Sequence, residues 1–572
     1  MSGYNRFSLA NTWKALVKCC DVGYSFIILN ILNSYNSNHS KISVCNSRMF
    51  TEIQQLNIRR IVSLFGKING MFLQGLEGMH VLVEADVSDG LPGYSFVGVL
   101  ASEVKEAQDR VRTAIRNLHV SLPPKKVTIN LSPADIRKEG TGFDLPIAVA
   151  ILSAYGLVIP GITEGAVFIG ELGLDGRVKG VPGILALADW AKKSGYQRLF
   201  LPMDNIREAA VIEKIELIGI ENLNDLFDML QGKRRIECWK RDELCTEFEL
   251  NHYDVDFSEV NGQKVLRRAA EVAVSGNHNL LMIGPPGSGK TMIAKRMPTI
   301  LPQLKLEECI EMSKIYSVVQ MLDPSEPLIL RRPFRAPHYS ITAQALTGGG
   351  VRPKPGEISL ATGGILFLDE LGESHRESLQ SLRTPLEEKV IRISRVNGTY
   401  TYPADFLLVA ATNPCPCGHF PSTKCTCSPW QIRRYLSKIS RPLLDRIDIC
   451  VEANQVTFDE ITRRSDNESS ALIRERVEAC RAIQQERFKN TNIRCNSEMN
   501  SRQIKEFCHI NKEESQFMKD VFREMELSAR MYDKILKIAR TTADMDGRMQ
   551  VEHKDLCEAI SYVRVRERYW GQ

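Results

Sequence analysis

The sequence predicts an α/β protein built on a parallel sheet that carries its ligand at the carboxyl ends of the strands. Three observations lead there. In "NLLMIGPPGSGKTMIAKRM" an apolar strand runs straight into a complete G-x-x-x-x-G-K-[ST] pattern. In "GGILFLDE" a second apolar strand ends on two carboxylates, and in "FLLVAATNP" a third ends on an amide. Successive strands that deliver polar groups to one edge fit parallel strands joined by crossover helices.

Each strand end has its own chemistry. Gly284, Pro285, Pro286, Gly287, Ser288, Gly289, Lys290 and Thr291 form the first. Glycines let backbone N–H groups turn inward on a polyphosphate, and the helix that follows adds its positive end. Lys290 is placed to reach the β- and γ-phosphates of ATP, and the Thr291 hydroxyl to ligate Mg²⁺. Asp369 is the second Mg²⁺ ligand expected, and Glu370 the group that orients or deprotonates the attacking water. Asn413 falls beside the expected γ-phosphate, although Asn-Pro is also an ordinary turn signal.

Length and composition bound the rest. A chain of 572 residues is too long for one core and suggests roughly three to four domains. Hydrophobic content of 43% and charged content of 25% are those of globular protein, and the apolar runs fall short of a membrane span. A net charge of +5 gives no bulk argument for nucleic acid, so any basic groove must be local. Fifteen cysteines, an odd number without a secretory signal before them, fit a reducing cytoplasm.

Residues 1–63 read as a poorly ordered extension, their apolar run from Phe26 to Leu32 broken by Asn30. Residues 64–231 read as a first α/β domain. There "HVLVEADV" and "KVTINLSP" alternate like half-buried strands, and Val104, Ala107, Val111, Ala114 and Leu118 share one helical face. "VFIGELGL", "GILALADWAKKSG" and "RLFLP" continue the strand–helix pattern. A charged linker over 232–256 precedes the phosphate-binding core, 257–455, and a helical, charge-rich region, 456–572, closes the chain. After the acidic strand, "VIRISRVNGTYTYPADF" reads as a hairpin with Asn397-Gly398 as its turn.

The motifs "DFSEVNGQ", "GPPGSGKT", "RRPFRAPHYS", "PKPGEISLATGGILFLDEL", "ATNPCPCG", "RPLLDRID" and "SARMYDKILKIARTTADM" together resemble an AAA+ ATPase of the magnesium-chelatase-like ComM/YifB family, from about Leu64 to Arg568. The resemblance implies a P-loop AAA+ core with a helical C-terminal lid. It also implies an ATP-dependent homo-hexameric ring, with Arg446 as the arginine finger and Arg530 as the sensor-2 arginine. Surface salt bridges are the plain alternative for both. Where the family usually has two histidines, this chain has His338-Tyr339. By the same resemblance the hairpin residues Arg392, Arg395 and Asn397 are candidates to touch a threaded substrate.

The first α/β domain is similar to the Lon-protease-like (ribosomal S5 domain 2-like) fold. Aligned on that protease, Asp144 stands where the nucleophilic serine belongs and Leu185 where the lysine belongs, with Thr141 and Lys179 nearby but shifted. The expectation is a scaffold domain without peptidase chemistry. The family implies a DNA helicase or branch-migration motor acting in integration of DNA during natural transformation. A magnesium-chelatase motor subunit and a protein-remodelling ATPase are the alternatives.

One cluster stands apart. "NPCPCGHFPSTKCTCSP" places Cys415, Cys417, Cys425 and Cys427 in a C-x-C-x7-C-x-C array directly after the third strand. Four thiolates suit a structural Zn²⁺. The pairs are tighter than a C-x2-C knuckle, so packed thiols and redox switching also stay open. His419 is a spare ligand candidate.

Overall fold

The computed structural model describes residues 65–118, 120, 122–239, 253–323, 325–396, 398–455, 458 and 467–571. The extension read over 1–63, most of the linker and Asn397 lie outside the described residues.

The first α/β region opens with a four-stranded sheet. Phe65–Gln74, Glu77–Ser88 and Lys126–Ser132 pair antiparallel, and Gly93–Val97 adds a parallel edge. The alternation read from sequence is the burial pattern: Val81, Val83, Ala85 and Val87 are all inside. The helix Ser102–Arg116 buries Val104, Ala107, Val111 and Ala114, the predicted face. A second helix, Asp144–Ala154, is apolar all round and almost wholly buried, as a helix hydrophobic on every side must be.

"VFIGELGL" is two short strands rather than one. Ala166–Phe168 belongs to a three-stranded parallel sheet with Arg198–Pro202 and Glu216–Ile220, whereas Glu171–Leu172 pairs with Val178–Lys179. The break falls at Gly170, whose N–H bonds the Gly142 carbonyl at 3.0 Å. A Cβ there would lie 2.8 Å from Val178 Cγ1, so the close approach requires glycine.

The second region is a five-stranded, fully parallel sheet. Its order is Phe334–Arg335, Ile365–Leu368, Leu407–Thr412, Leu280–Ile283, Ile449–Glu452. The central strands read as unbroken apolar runs because both faces are covered. Leu280, Met282, Ile365, Phe367, Val409 and Val451 face one hydrophobic cluster, and Leu281, Ile283, Leu366, Leu368 and Ala410 face another. The first cluster continues without a break through Val477, Ile535, Ile538, Ala539, Leu556 and Ile560. These residues belong to the helices Ser470–Arg487, Ala529–Met545 and His553–Trp570, so the helical end of the chain shares its core with the sheet.

Polar contacts tie the two regions. Lys314 Nζ lies 2.6 Å from Asp189, Arg352 lies 2.7 Å from Glu103, and the Gly183 N–H bonds the Ser317 carbonyl at 3.2 Å. The hairpin after the acidic strand forms as predicted, Val390–Arg395 against Gly398–Pro403, but its turn is displaced by one residue. Gly398 stands on the returning strand opposite Arg395, with φ of +142°, so it is not at the centre of a type I′ turn. That φ is one that favours glycine, and a side chain there would also meet the flexible end of Gln74 of the first region.

Candidate nucleotide site

The strand order decides which groups meet. Leu407–Thr412 lies between the P-loop strand and the acidic strand, so Asn413 emerges between the glycine loop and Asp369. That juxtaposition is not legible in sequence, where the three strand ends are more than 40 residues apart.

The loop Gly284–Gly289 turns through left-handed backbone at Gly287 and Gly289, with φ of +76° and +80°. Gly284 is required for a different reason: a Cβ would sit 2.4 Å from the Ala453 carbonyl oxygen. Gln263 donates to the Ser288 carbonyl at 3.0 Å and tethers the loop from outside. It lies in "DFSEVNGQ", a motif that carried the resemblance, yet nothing in its residue type announced this contact.

Lys290 begins the helix Lys290–Arg296 and is buried. Its ammonium donates to the Gly284 and Pro285 carbonyls, both at 2.8 Å, and to Ser288 Oγ at 3.3 Å. Burial lowers its pKa from the ordinary 10.5, against the raising influence of Asp369. A cation at a helix N-terminus sits at the end whose field is already positive, an arrangement that favours an incoming anion.

Thr291 Oγ1 donates to Asp369 Oδ2 at 2.7 Å. A hydroxyl and a carboxylate converging at the mouth of a phosphate loop are the hard oxygen donors that Mg²⁺ takes, so the residues present fit the ion. The chain leaves the acidic strand through a left-handed Glu370, φ +49°, whose N–H bonds Asp369 Oδ1 at 2.9 Å. A non-glycine residue held there is strained, and its side chain is exposed beside the Thr291–Asp369 pair.

The two arginines meet elsewhere. Arg446 is held inside its own chain by Glu387 and by the Arg383 carbonyl, to which Nε donates at 3.0 Å. Arg530 is largely exposed and approaches Asp445 at 4.0 Å. Both line one cleft of about 710 Å³, together with Asp448, Lys534 and Lys537, and no residue of the P-loop lines it. Lys534 makes this cleft electrostatically firm. Burial works to raise the Asp448 carboxyl, but Lys534 and His278 outweigh it and hold it down to about 2.

The four cysteines form a cluster: their Sγ atoms all lie within 4.8 Å of one another. The separations are 3.3 Å for Cys415–Cys417, 3.7 Å for Cys415–Cys425 and 3.6 Å for Cys417–Cys425. Backbone N–H groups of His419 and Thr426 pull the Cys417 thiol down to about 5. Among the described residues the group consists of the four cysteines alone, and His419 contributes its backbone rather than its ring.

In the first region, Asp144 is fully buried and accepts from Arg110 Nε at 2.7 Å, Arg110 Nη2 at 2.9 Å and the Leu172 N–H at 3.0 Å. Leu185 is buried in the helix Ile184–Lys193. Lys179 is solvent-exposed and 3.9 Å from Glu171.

Comparison with known proteins accounts for nearly the whole of this arrangement. Family models for magnesium chelatase match in three blocks: subunit ChlI over residues 256–461, subunit ChlI of Mg-chelatase over 83–205, and the ChlI C-terminal region over 467–563. Competence protein ComM of Haemophilus influenzae is 40% identical over 492 residues, 85% of this chain and 95% of that protein. YifB of Salmonella typhimurium is 40% identical over 489 residues, with the same coverage of each chain. Rv2897c of Mycobacterium tuberculosis is 36% identical over 498 residues, 87% of this chain and 98% of that protein. The chain therefore belongs to the ComM/YifB family of magnesium-chelatase-like AAA+ ATPases.

Proposed function

We propose that the protein is an ATP-hydrolysing ring motor that works on DNA. The observation that carries the first half is the 2.7 Å contact between Thr291 and Asp369 over the glycine loop. ATP seats its phosphates on the loop N–H groups and Lys290, which exchanges its carbonyl partners for phosphate oxygens. Mg²⁺, held by Thr291 and Asp369, supplies charge neutralisation when bound. Glu370 takes up the proton of the attacking water, and Asn413, between loop and carboxylates, fixes that water or the γ-phosphate.

Arg446 and Arg530 line a cleft separate from the P-loop of their own chain, so a ring is the economical way to use them: each subunit offers both to its neighbour's nucleotide. Arg446 then exchanges Glu387 for the phosphate. On this reading Arg446→Ala lowers turnover by roughly 10³-fold and is rescued in part by mixing with Lys290→Ala subunits, which keep the finger. No rescue in mixed assemblies overturns the shared site.

Support for DNA comes from two adjoining loops. The Gly348–Pro355 segment and the hairpin tip meet through Arg395 Nε and the Gly350 carbonyl, 3.3 Å apart, and Tyr402 donates to the Pro353 carbonyl at 2.6 Å. Arg352, Lys354, Arg392 and Arg395 are exposed there, Arg352 paired with Glu103 and Arg392 with Glu388, alongside fully exposed Val351 and Val396. Local positive charge with small apolar tips suits a nucleic-acid backbone that moves past. The competence designation of the Haemophilus relative agrees with a helicase or branch-migration role in integrating incoming DNA, inside the cytoplasm. The first region then serves as a Lon-protease-like scaffold and the C-terminal helices as the AAA+ lid.

The match to magnesium-chelatase family models favours one other reading: a motor subunit of a chelatase. ATPase assays separate the two. Single-stranded or forked DNA is expected to accelerate turnover several-fold in the wild type, and Glu370→Gln to abolish turnover with DNA binding intact. Turnover indifferent to both DNAs, with no DNA retained on a gel, overturns the DNA reading.

A further inference from the structure

The geometry points to a tetrathiolate Zn²⁺ site at Cys415, Cys417, Cys425 and Cys427 that braces the phosphate loop, so that zinc occupancy sets nucleotide affinity. The second half rests on the nucleotide reading above; the first does not.

The distances select the occupant. With Zn–S bonds of about 2.3 Å, a regular tetrahedron has sulfur–sulfur edges of about 3.8 Å. The three separations of 3.3, 3.6 and 3.7 Å lie close to that edge. They are far too long for a disulfide, whose sulfurs stand about 2.05 Å apart. An iron–sulfur cluster interposes its own iron and sulfide atoms and spreads its cysteines wider than these. Backbone N–H groups aimed at sulfur are the partners that metal-bound thiolates use: the Phe420 N–H reaches Cys415 Sγ at 3.4 Å, and those of His419 and Thr426 point to Cys417. Four cysteines complete a tetrahedron and leave no open position, so the metal is structural.

The loop's surroundings give the site a consequence. Cys415 is fully buried two residues after Asn413, at the end of the central strand. Gly418, inside the knuckle, lies against Pro286 of the phosphate loop: a Cβ on Gly418 would stand 2.5 Å from Pro286 Cδ. Phe420 packs edge-on against Tyr569 of the last helix, ring centroids 6.1 Å apart. The knuckle is therefore wedged between the C-terminal helices and the loop that must hold ATP. With the metal bound, the four thiolates fix Gly418 and hence the back of Pro286. Without it, the four sulfurs are no longer tied to one point, and that support is released.

The experiment uses the full chain purified under reducing conditions without chelator. Elemental analysis is expected to give ~one zinc per chain. Cobalt substituted into wild-type protein is expected to show thiolate-to-metal charge-transfer and tetrahedral d–d bands. Cys417→Ser is expected to lose zinc and weaken a fluorescent ATP analogue about tenfold or more. Gly418→Ala keeps all four thiols, and it is expected to retain zinc while weakening the analogue roughly tenfold, because the methyl meets Pro286 and the left-handed φ of +80° shifts the knuckle against the loop. Lys290→Ala separates the two layers: it is expected to lose nucleotide and keep zinc. Wild type without zinc, or with one iron in its place, overturns the site. Zinc present but nucleotide affinity unchanged in Gly418→Ala and in Cys417→Ser overturns the brace and leaves the metal assignment standing.

Discussion

Two helices of this molecule begin with a buried charge, and they have opposite fates. Asp144 opens its helix with the sign the helix favours, and it is saturated by a bidentate Arg110 and the Leu172 N–H. Lys290 opens its helix with the wrong sign and is held only by carbonyls of its own loop and a serine hydroxyl. A charge satisfied by an opposite charge belongs to the scaffold. A charge parked on neutral acceptors at a positive helix end can exchange them for an incoming anion. Both side chains are buried, so burial alone does not mark a site; the identity of the partner does.

Breaking the pair tests this contrast. Asp144→Ala leaves Arg110 with the Glu103 carbonyl and the more distant Glu106 alone, and is expected to cost about 3 kcal/mol of stability, read by chemical denaturation. Nucleotide affinity of the folded fraction should not change; a parallel loss of ATP binding would show that Asp144 is part of the motor. Lys290→Ala is expected to reverse the pattern, with ATP affinity down at least about 100-fold, near 3 kcal/mol, and the unfolding midpoint unmoved. A large stability loss there would make Lys290 a scaffold residue after all.

The alkaline limb of ATP binding sharpens the contrast further. The binding form of Lys290 is the ammonium, and burial has lowered its pKa from 10.5 in the empty site. Affinity should therefore be full at neutral pH and fall as pH rises through that lowered value, earlier than an ordinary lysine would give. Lys290→Arg, charged at every accessible pH, is expected to lose this limb whatever its absolute affinity. The smallest effect is expected at Thr141→Ala. Its side chain lies near the protease-like loop but Lys179 is exposed and paired with Glu171, so stability should move by less than about 0.5 kcal/mol. A labelled peptide cleaved by wild type and spared by Thr141→Ala would restore a peptidase.

Local pattern made much of this fold legible. The alternation through Val81–Val87, the helical face from Val104 to Ala114 and the unbroken runs Leu280–Ile283 and Ile365–Leu368 each follow from one-dimensional periodicity. The glycine loop and its partners were legible because phosphate chemistry demands fixed spacing. What stayed hidden depends on contacts between distant segments. At Gly170, Gly398 and Gly418 a Cβ would come within 3 Å of an atom brought there by another segment, a crowding that one-dimensional pattern does not carry. The meeting of Arg446 and Arg530 in one cleft, away from the loop, is equally a product of packing.

The core shared between the parallel sheet and the C-terminal helices has a mechanical consequence. Side chains from Leu280 to Val563 interlock in one cluster, so bending between sheet and helices would have to open a dry interface. On the proposed motor reading, a stroke would find no hinge there. The sheet and the C-terminal helices would turn together as one stiff body, and compliance would be left to the seams between one chain and the next.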